Sequence, residues 1–190
     1  MGYPLREARP GAYYHVGTRG NNQRPIYTDD HSRLLFFLIL GNQARKFDWR
    51  IITYCLMGNH YHLVMELGQG GLSRGMQRLN GGYARAFNIR EGRRDHLFGR
   101  RFWSREIEDE GDLLATCRYV DLNPTRSFGV LPQNWPWSGH RGSVRSNSPR
   151  SFHSPTPLWD ILHAEPRRAM DSYESFVAES LRGSSGCLTS

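Results

Sequence analysis

The sequence predicts an α+β fold: a ferredoxin-like βαββαβ unit with an antiparallel sheet, one further helix, and a C-terminal helical extension. Three observations predict it. Four stretches alternate apolar and polar residues with the period of a strand, near 12–18, 49–57, 60–66 and 102–107. Two helical patterns fall between the first and second strands and between the third and fourth. The resulting order, strand, helix, strand, strand, helix, strand, is that of the split βαβ motif.

Residues 1–11 are a polar lead-in containing Pro4 and Pro10. From Ala12 to Thr18, Tyr13, His15 and Gly17 fall on one strand face and Tyr14, Val16 and Thr18 on the other. The strand runs into Arg19-Gly20-Asn21-Asn22-Gln23-Arg24, a tight loop because Gly and Asn tolerate positive φ. Arg19, Asn21 and Arg24 can bond phosphates or base edges there; an ordinary polar turn has the same composition. Asp29, Asp30 and Ser32 start a helix that runs to about Arg45. Its Leu34–Leu40 run is apolar nearly all round and implies deep burial.

Trp49 to Met57 returns as a strand, with Trp49, Ile51, Thr53, Cys55 and Met57 expected on one face. Gly58-Asn59 turns it into a second strand, where Tyr61, Leu63 and Met65 oppose His60, His62, Val64 and Glu66. After a break at 68–71, Leu72, Met76, Leu79, Tyr83 and Phe87 make one helical stripe. Arg74, Arg78 and Arg85 lie on another face, either to meet phosphates or simply to be solvated. Gly81-Gly82 costs that helix about 1 kcal/mol per glycine, so a bend is expected.

From Arg93 to Arg105 bases and rings interleave, and Arg100 and Arg101 belong to this run. Single-strand binders combine arginine with stacking rings in this way, although Phe102 or Trp103 is expected to be core. Acidic residues at 108–112 open a helix through Leu122 that Pro124 is expected to end at Asn123. The domain then spans 1–142, followed by a Ser/Pro/Arg-rich linker at 143–157, helix at 158–181 broken at Pro166, and a disordered tail at 182–190.

The net charge is +7 with a pI near 9.7, which favours a polyanionic partner, most simply nucleic acid. Every basic residue except Lys46 is arginine, the side chain suited to bidentate phosphate contacts, although a GC-rich coding sequence gives the same bias. Cys55, Cys117 and Cys187 form neither a zinc pattern nor a disulfide framework. The N-terminus lacks the apolar run of a secretory peptide, and the longest apolar run is too short to span a bilayer, so a cytoplasmic protein with no membrane partner is expected.

His60 and His62 are two residues apart on a strand, so their rings stand on one face about 7 Å apart and can share a metal ion. Two polar residues on a solvated face have the same spacing. Far along the chain, Tyr119 and Asn123 are spaced i,i+4 on one helix face. If that face meets the sheet, two imidazoles, an amide oxygen and a phenol converge. Three of the four can ligate a divalent cation, which polarises a scissile phosphate. A tyrosine nucleophile then leaves a covalent phosphotyrosine ester, which needs no ATP.

Four segments in order carry a resemblance: Thr18-Arg19-Gly20-Asn21, Tyr54 to His62 with its Asn59-His60-x-His62 ending, Arg118-Tyr119-Val120-x-Leu122-Asn123-Pro124, and Trp135-Pro136-Trp137-Ser138. The chain resembles the single-tyrosine HUH transposases of insertion sequences, and among them the REP-associated tyrosine transposases. The likeness covers about 12–142. It implies a ferredoxin-like domain that cleaves and rejoins single-stranded DNA at imperfect, REP-like hairpins, as a monomer or homodimer. By motif position it implies that His60, His62 and Asn123 bind Mg²⁺ or Mn²⁺ and that Tyr119 is the nucleophile taking the 5′-phosphate. It also implies hairpin contacts from the Arg-Gly-Asn loop and the Arg-rich segments. Where the family has proline before Asn-His, this chain has Gly58.

Other readings are another HUH nickase, a non-catalytic regulator binding structured DNA or RNA, and a zinc hydrolase whose His pair is completed by His15 and Glu66. The single tyrosine followed by x-x-Leu-Asn-Pro, Tyr119 to Pro124, argues against the first. The regulator has no need of all four groups at His60, His62, Tyr119 and Asn123.

Overall fold

Alternating apolar positions in four short strands leave a sheet with two faces to bury, and helices cover both. The computed structural model describes residues 8–69, 71–145 and 150–183, with backbone alone at residues 182 and 183. The strands are β1 (Tyr13–Arg19), β2 (Trp49–Leu56), β3 (His60–Leu67) and β4 (Trp103–Ile107). They form one sheet in the order β2-β3-β1-β4, with every neighbouring pair antiparallel. With α1 (Asp30–Phe47) and α2 (Leu72–Arg90) between them, this is the βαββαβ order expected.

One face of the sheet presents Tyr14, Val16, Tyr54, Leu56, Tyr61, Leu63 and Met65 to α1 and α2. The Asp29 side chain accepts from the Ser32 amide, and the two residues complete a capping box that starts α1. Phe36, Phe37, Leu40 and Phe47 of α1 are buried, but Leu34 and Leu38 are exposed. The apolar run therefore does not mean burial all round: one stripe faces the sheet and the residues four apart on the outer side face solvent. On α2 the stripe Leu72, Met76, Leu79, Tyr83 and Phe87 is buried. The helix runs unbroken across Gly81-Gly82. Its spacing-setting glycine is Gly75, where a Cβ would stand 2.2 Å from the Trp49 ring.

The face expected for β2 switches midway. Ile51 pairs with Met65 and Thr53 with Val64, so Ile52 is an extra residue. This bulge reverses the alternation. Trp49 and Ile51 join the α1/α2 core, while Cys55 and Met57 face the opposite layer. That layer is α3 (Glu110–Asp121), with α6 (Thr156–Leu162) and α7 (Pro166–Gly183) packed on it.

Pro124 does not simply end the helix at Asn123. α3 stops at Asp121, and a new helix, α4 (Asn123–Phe128), begins at once with Pro124 in its first turn. Proline is tolerated there because first-turn amides have no intrahelical partner. Its backbone stays close to helical through Leu122, so Tyr119 and Asn123 keep their i,i+4 relation.

The outer edge of β2 is closed by later chain. Leu56 N donates to Trp137 O (2.9 Å), Gly139 N to Tyr54 O (2.8 Å) and Ser154 N to Ile51 O (2.8 Å). Where the expected linker is described, it is therefore packed: Phe152 lies against Phe37 and Tyr54, and His153 is buried. Residues 146–149 of that linker, and 184–190 of the expected disordered tail, lie outside the described residues. The expected break at Pro166 is present: α6 ends at Leu162, residues 163–165 are not helical, and Pro166 opens α7.

A short helix, α5 (His140–Ser143), joins the second core through one buried polar group. Asp121 is fully buried. Its carboxyl group accepts from Thr53 Oγ1 of β2 (2.7 Å), His140 Nδ1 of α5 (3.1 Å) and the Tyr173 hydroxyl of α7 (2.9 Å). Asp121→Ala strands three buried donors and should cost about 3–5 kcal/mol. Urea unfolding measures this; a loss below about 0.5 kcal/mol would show the clasp to be idle.

Candidate functional site

On β3, alternation puts His60 and His62 on the α3 face, and on β1 it puts His15, Gly17 and Arg19 there. Pairing of β1 with β3 sets Gly17 opposite His62 and Arg19 opposite His60. The two strands thus bring three imidazoles together. His15 Nε2 lies 3.1 Å from His62 Nδ1, and the His60 and His62 rings are 5.1 Å apart.

The third wall is α3. The Tyr119 ring stands 5.8 Å from the His62 ring and 6.0 Å from the His15 ring, and the residue is 43% exposed while His62 is only 7% exposed. Asn123 is buried, and its Nδ2 donates to Tyr119 O (2.9 Å) and more weakly to Val120 O (3.4 Å). With the amide nitrogen used on the helix, Oδ1 is the atom left to accept or to ligate.

The protonation of the histidines follows from their surroundings. Burial pulls the His60 pKa from 6.5 down to about 4, aided by the Arg19 charge. His62 falls to about 3 through burial, then His15, His60 and Arg19. His15 falls to about 4 through burial and the Arg105 charge, against a smaller opposing effect of Asp112. All three are neutral at pH 7.

The His60 tautomer is also fixed. Asn59 Nδ2 donates to Gln23 O (2.9 Å), which turns its Oδ1 toward His60 Nδ1 (2.7 Å). An amide oxygen only accepts, so Nδ1 carries the proton and Nε2 a free lone pair. Metal-binding histidines are oriented by such partners. On His62, Nδ1 is taken up by the contact with His15 Nε2 (3.1 Å), in which either ring can be the donor. Neutral imidazole nitrogens and an amide oxygen are donors that suit a divalent cation, so the donor set fits one.

The turn carrying Asn59 is well held despite Gly58. Gly20 N donates to Asn59 O (2.8 Å), Ile26 N to Gly58 O (3.0 Å) and Met57 N to His60 O (2.9 Å). A zinc site completed by His15 and Glu66 does not form: Glu66 pairs with Arg50 Nε at 3.3 Å. Among the described residues no group of three or more His, Cys, Asp or Glu side chains is placed to hold a metal.

The expected DNA-contacting residues are divided. Arg19 borders the histidines, and its charge acts on two of them. Asn21 sits in the adjoining 3₁₀ turn, where its amide donates to Leu97 O (2.8 Å). Arg24 forms an exposed ion pair with Asp95 (3.2 Å). Arg100 and Arg101 are exposed in the segment leading into β4. Arg74 and Arg78 are exposed on α2, in the layer on the other side of the sheet from the histidines and Tyr119.

Several groups at the site were not singled out by sequence reasoning. Arg126 lies with its guanidinium 5.0 Å from the Tyr119 ring centre, seven residues on and thus two helical turns away. Of Phe102 and Trp103, one of which is expected to be core, Phe102 is the buried one and Trp103 is 40% exposed beside His15. Asn59 appeared as part of a motif but not as the residue that orients His60.

The family model described as "Transposase IS200 like" matches residues 9–123. A Haemophilus influenzae protein named as a REP-associated tyrosine transposase is 24% identical over 115 residues, covering 54% of this chain and 65% of that relative. The chain thus spans about two thirds of the length of the curated relative. A solved REP-associated tyrosine transposase bound to a REP hairpin shares the fold at a TM-score of 0.61 and 19% identity, covering 78% of this chain and 89% of that one.

Depressed histidine pKa values tie stability to pH. Above about pH 6.5 folded and unfolded chains are both neutral at these positions. As pH falls from 6.5 toward 4, the unfolded chain takes up protons that the fold refuses, so stability is lost in that window. His15 and His62 should each add a slope of about 1.4 kcal/mol per pH unit there. Urea unfolding at stepped pH measures the slope, and long-range ¹H–¹⁵N spectra at pH 7 should show His60 protonated at Nδ1. A His60 protonated at Nε2 would contradict the orientation by Asn59.

Proposed function

This chain belongs to the IS200-like transposase family, and on that premise we propose that it is a REP-associated tyrosine transposase that cleaves and rejoins single-stranded hairpin DNA. The observation that carries the reading is the half-exposed Tyr119 standing against the neutral His62 of β3, whose ring neighbours the proton-oriented His60. The hairpin-bound relative of the same fold and the basic charge support a hairpin substrate.

Tyr119 Oη attacks the scissile phosphorus and gives up its proton. A bond forms from Oη to phosphorus, the bond from phosphorus to the 3′ oxygen breaks, and that oxygen leaves as a 3′-hydroxyl after taking one proton from water, which in turn receives the proton lost by Tyr119. The 5′-phosphate remains on Tyr119 as a phosphotyrosine ester. Attack by a 3′-hydroxyl on this ester reverses the step and rejoins DNA. His60, His62 and Asn123 Oδ1 would hold Mg²⁺ or Mn²⁺, which neutralises phosphate charge and polarises the phosphorus centre. Asn59 keeps the His60 lone pair available. Arg126 and Arg19 add positive charge where the phosphodiester arrives. Among the described residues no helix is long and apolar enough to cross a membrane. The proposal places the protein in the cytoplasm, working as a monomer or homodimer.

Incubating the protein with a REP-like hairpin oligonucleotide bearing single-stranded flanks and Mn²⁺ should give a covalent adduct on a denaturing gel. Tyr119→Phe and chelator should abolish it. Asn59→Ala should slow it about 10–100-fold, as loss of a residue orienting a ligand does. Tight hairpin binding with no adduct across such hairpins would instead support the non-catalytic regulator.

A further inference from the structure

Trp103 is the first residue of β4 and pairs with Gly17 of β1. A Cβ on Gly17 would stand 2.8 Å from Trp103 Cζ2 and 3.0 Å from Cε2, so the glycine leaves the space in which the indole lies across the strand. The His15 ring meets the indole edge-on at 4.6 Å, and the His62 ring lies 5.9 Å away. The indole is thus held from beneath and from one side, yet 40% of the residue is exposed.

Tyr119 meets the same two histidines. Trp103 and Tyr119 are therefore two exposed rings bordering one buried imidazole pair. Around them lie Arg105, opposite His15 and paired with Asp112, and Arg126 over Tyr119. A large flat apolar ring left exposed beside arginine, against the same two histidines that the nucleophile meets, matches a planar partner carried on a polyanion. Unpaired nucleobases are such partners, and stacking on an aromatic contributes about 1–3 kcal/mol per base.

We propose that Trp103 is a stacking platform for one unpaired nucleobase of the single-stranded flank next to the phosphodiester presented to Tyr119. Gly17 makes room for the platform and His15 braces it. Stacking there fixes the register of the strand, so that one phosphodiester rather than its neighbours meets the tyrosine. This rests on the single-strand cleavage reading but is tested by binding, independently of cleavage.

The test is a set of REP-like hairpin oligonucleotides with single-stranded flanks, each flank nucleotide in turn made abasic. Affinity is measured in the Tyr119→Phe protein with Trp103 and with Trp103→Ala or Trp103→Phe. With Trp103 present, one abasic position should weaken binding about 5- to 150-fold. Trp103→Ala should weaken the intact oligonucleotide by a similar factor and be insensitive to that abasic position, while Trp103→Phe retains most of the affinity. 2-Aminopurine at the coupled position should be quenched on binding only when Trp103 is present. Affinity for a hairpin without flanks should be the same for all three proteins, which separates lost stacking from lost folding. Equal losses at every abasic position with and without Trp103, or an unchanged affinity for the flanked hairpin in Trp103→Ala, would overturn the proposal. Absence of an adduct with the wild-type chain would overturn cleavage alone, since the binding cycle decides the platform by itself.

Discussion

Asp121 accepts hydrogen bonds from β2, α5 and α7 at once, in a place closed to solvent. It sits at the C-terminal end of α3, between Tyr119 and Asn123 on the same turn of chain. A buried carboxyl group is costly unless its donors are all present, so these three elements must arrive together. Their arrival fixes the end of α3 against the sheet. The position of Tyr119 over β3 follows from this, because a helix end bolted at one residue cannot slide relative to the residue one half-turn earlier. The C-terminal extension is therefore part of what presents the tyrosine: Tyr173, on α7, holds the helix that carries it.

The sheet supplies the other half. β1 and β3 are neighbours in the centre of the sheet, so His15, His60 and His62 are buried enough to be neutral and close enough to touch. Burial here serves chemistry as well as packing: an imidazole that stays neutral keeps a lone pair. The same turn that bears Asn59 is hydrogen-bonded to the Arg19–Arg24 loop through Gly20 and Gln23, and to Ile26 just after it. Any ligand that moves this loop therefore acts on the residue that orients His60.

Much of this was legible in the sequence. The four strands, both covering helices, the α2 stripe and the shared face of His60 and His62 follow from periodicity, which reports burial directly. The i,i+4 spacing of Tyr119 and Asn123 survived a helix break because Leu122 keeps near-helical backbone angles. What was hidden depended on contacts between distant segments. The bulge at Ile52 inverts the face of Trp49 and Ile51, and no single residue type announces it. Arginines on α2 could not be assigned to the far layer before the layer order was known. Trp103 looks like core by type, and only its pairing with Gly17 shows that the indole lies across a strand with its outer side open. Asp121 gives no local signal at all, since its three donors come from sequence positions up to 68 residues away.

The central claim is that Tyr119, held by the Asp121 clasp, is the residue that becomes joined to DNA. Trypsin cuts after Arg118 and after Arg126, which isolates Tyr119 on a peptide whose only tyrosine it is. Mass spectrometry of a nuclease-trimmed adduct should find the nucleotide's added mass on that peptide, with fragmentation placing a phosphoester on Tyr119. Nucleotide mass on any other peptide, or on a different residue of this one, would contradict the account.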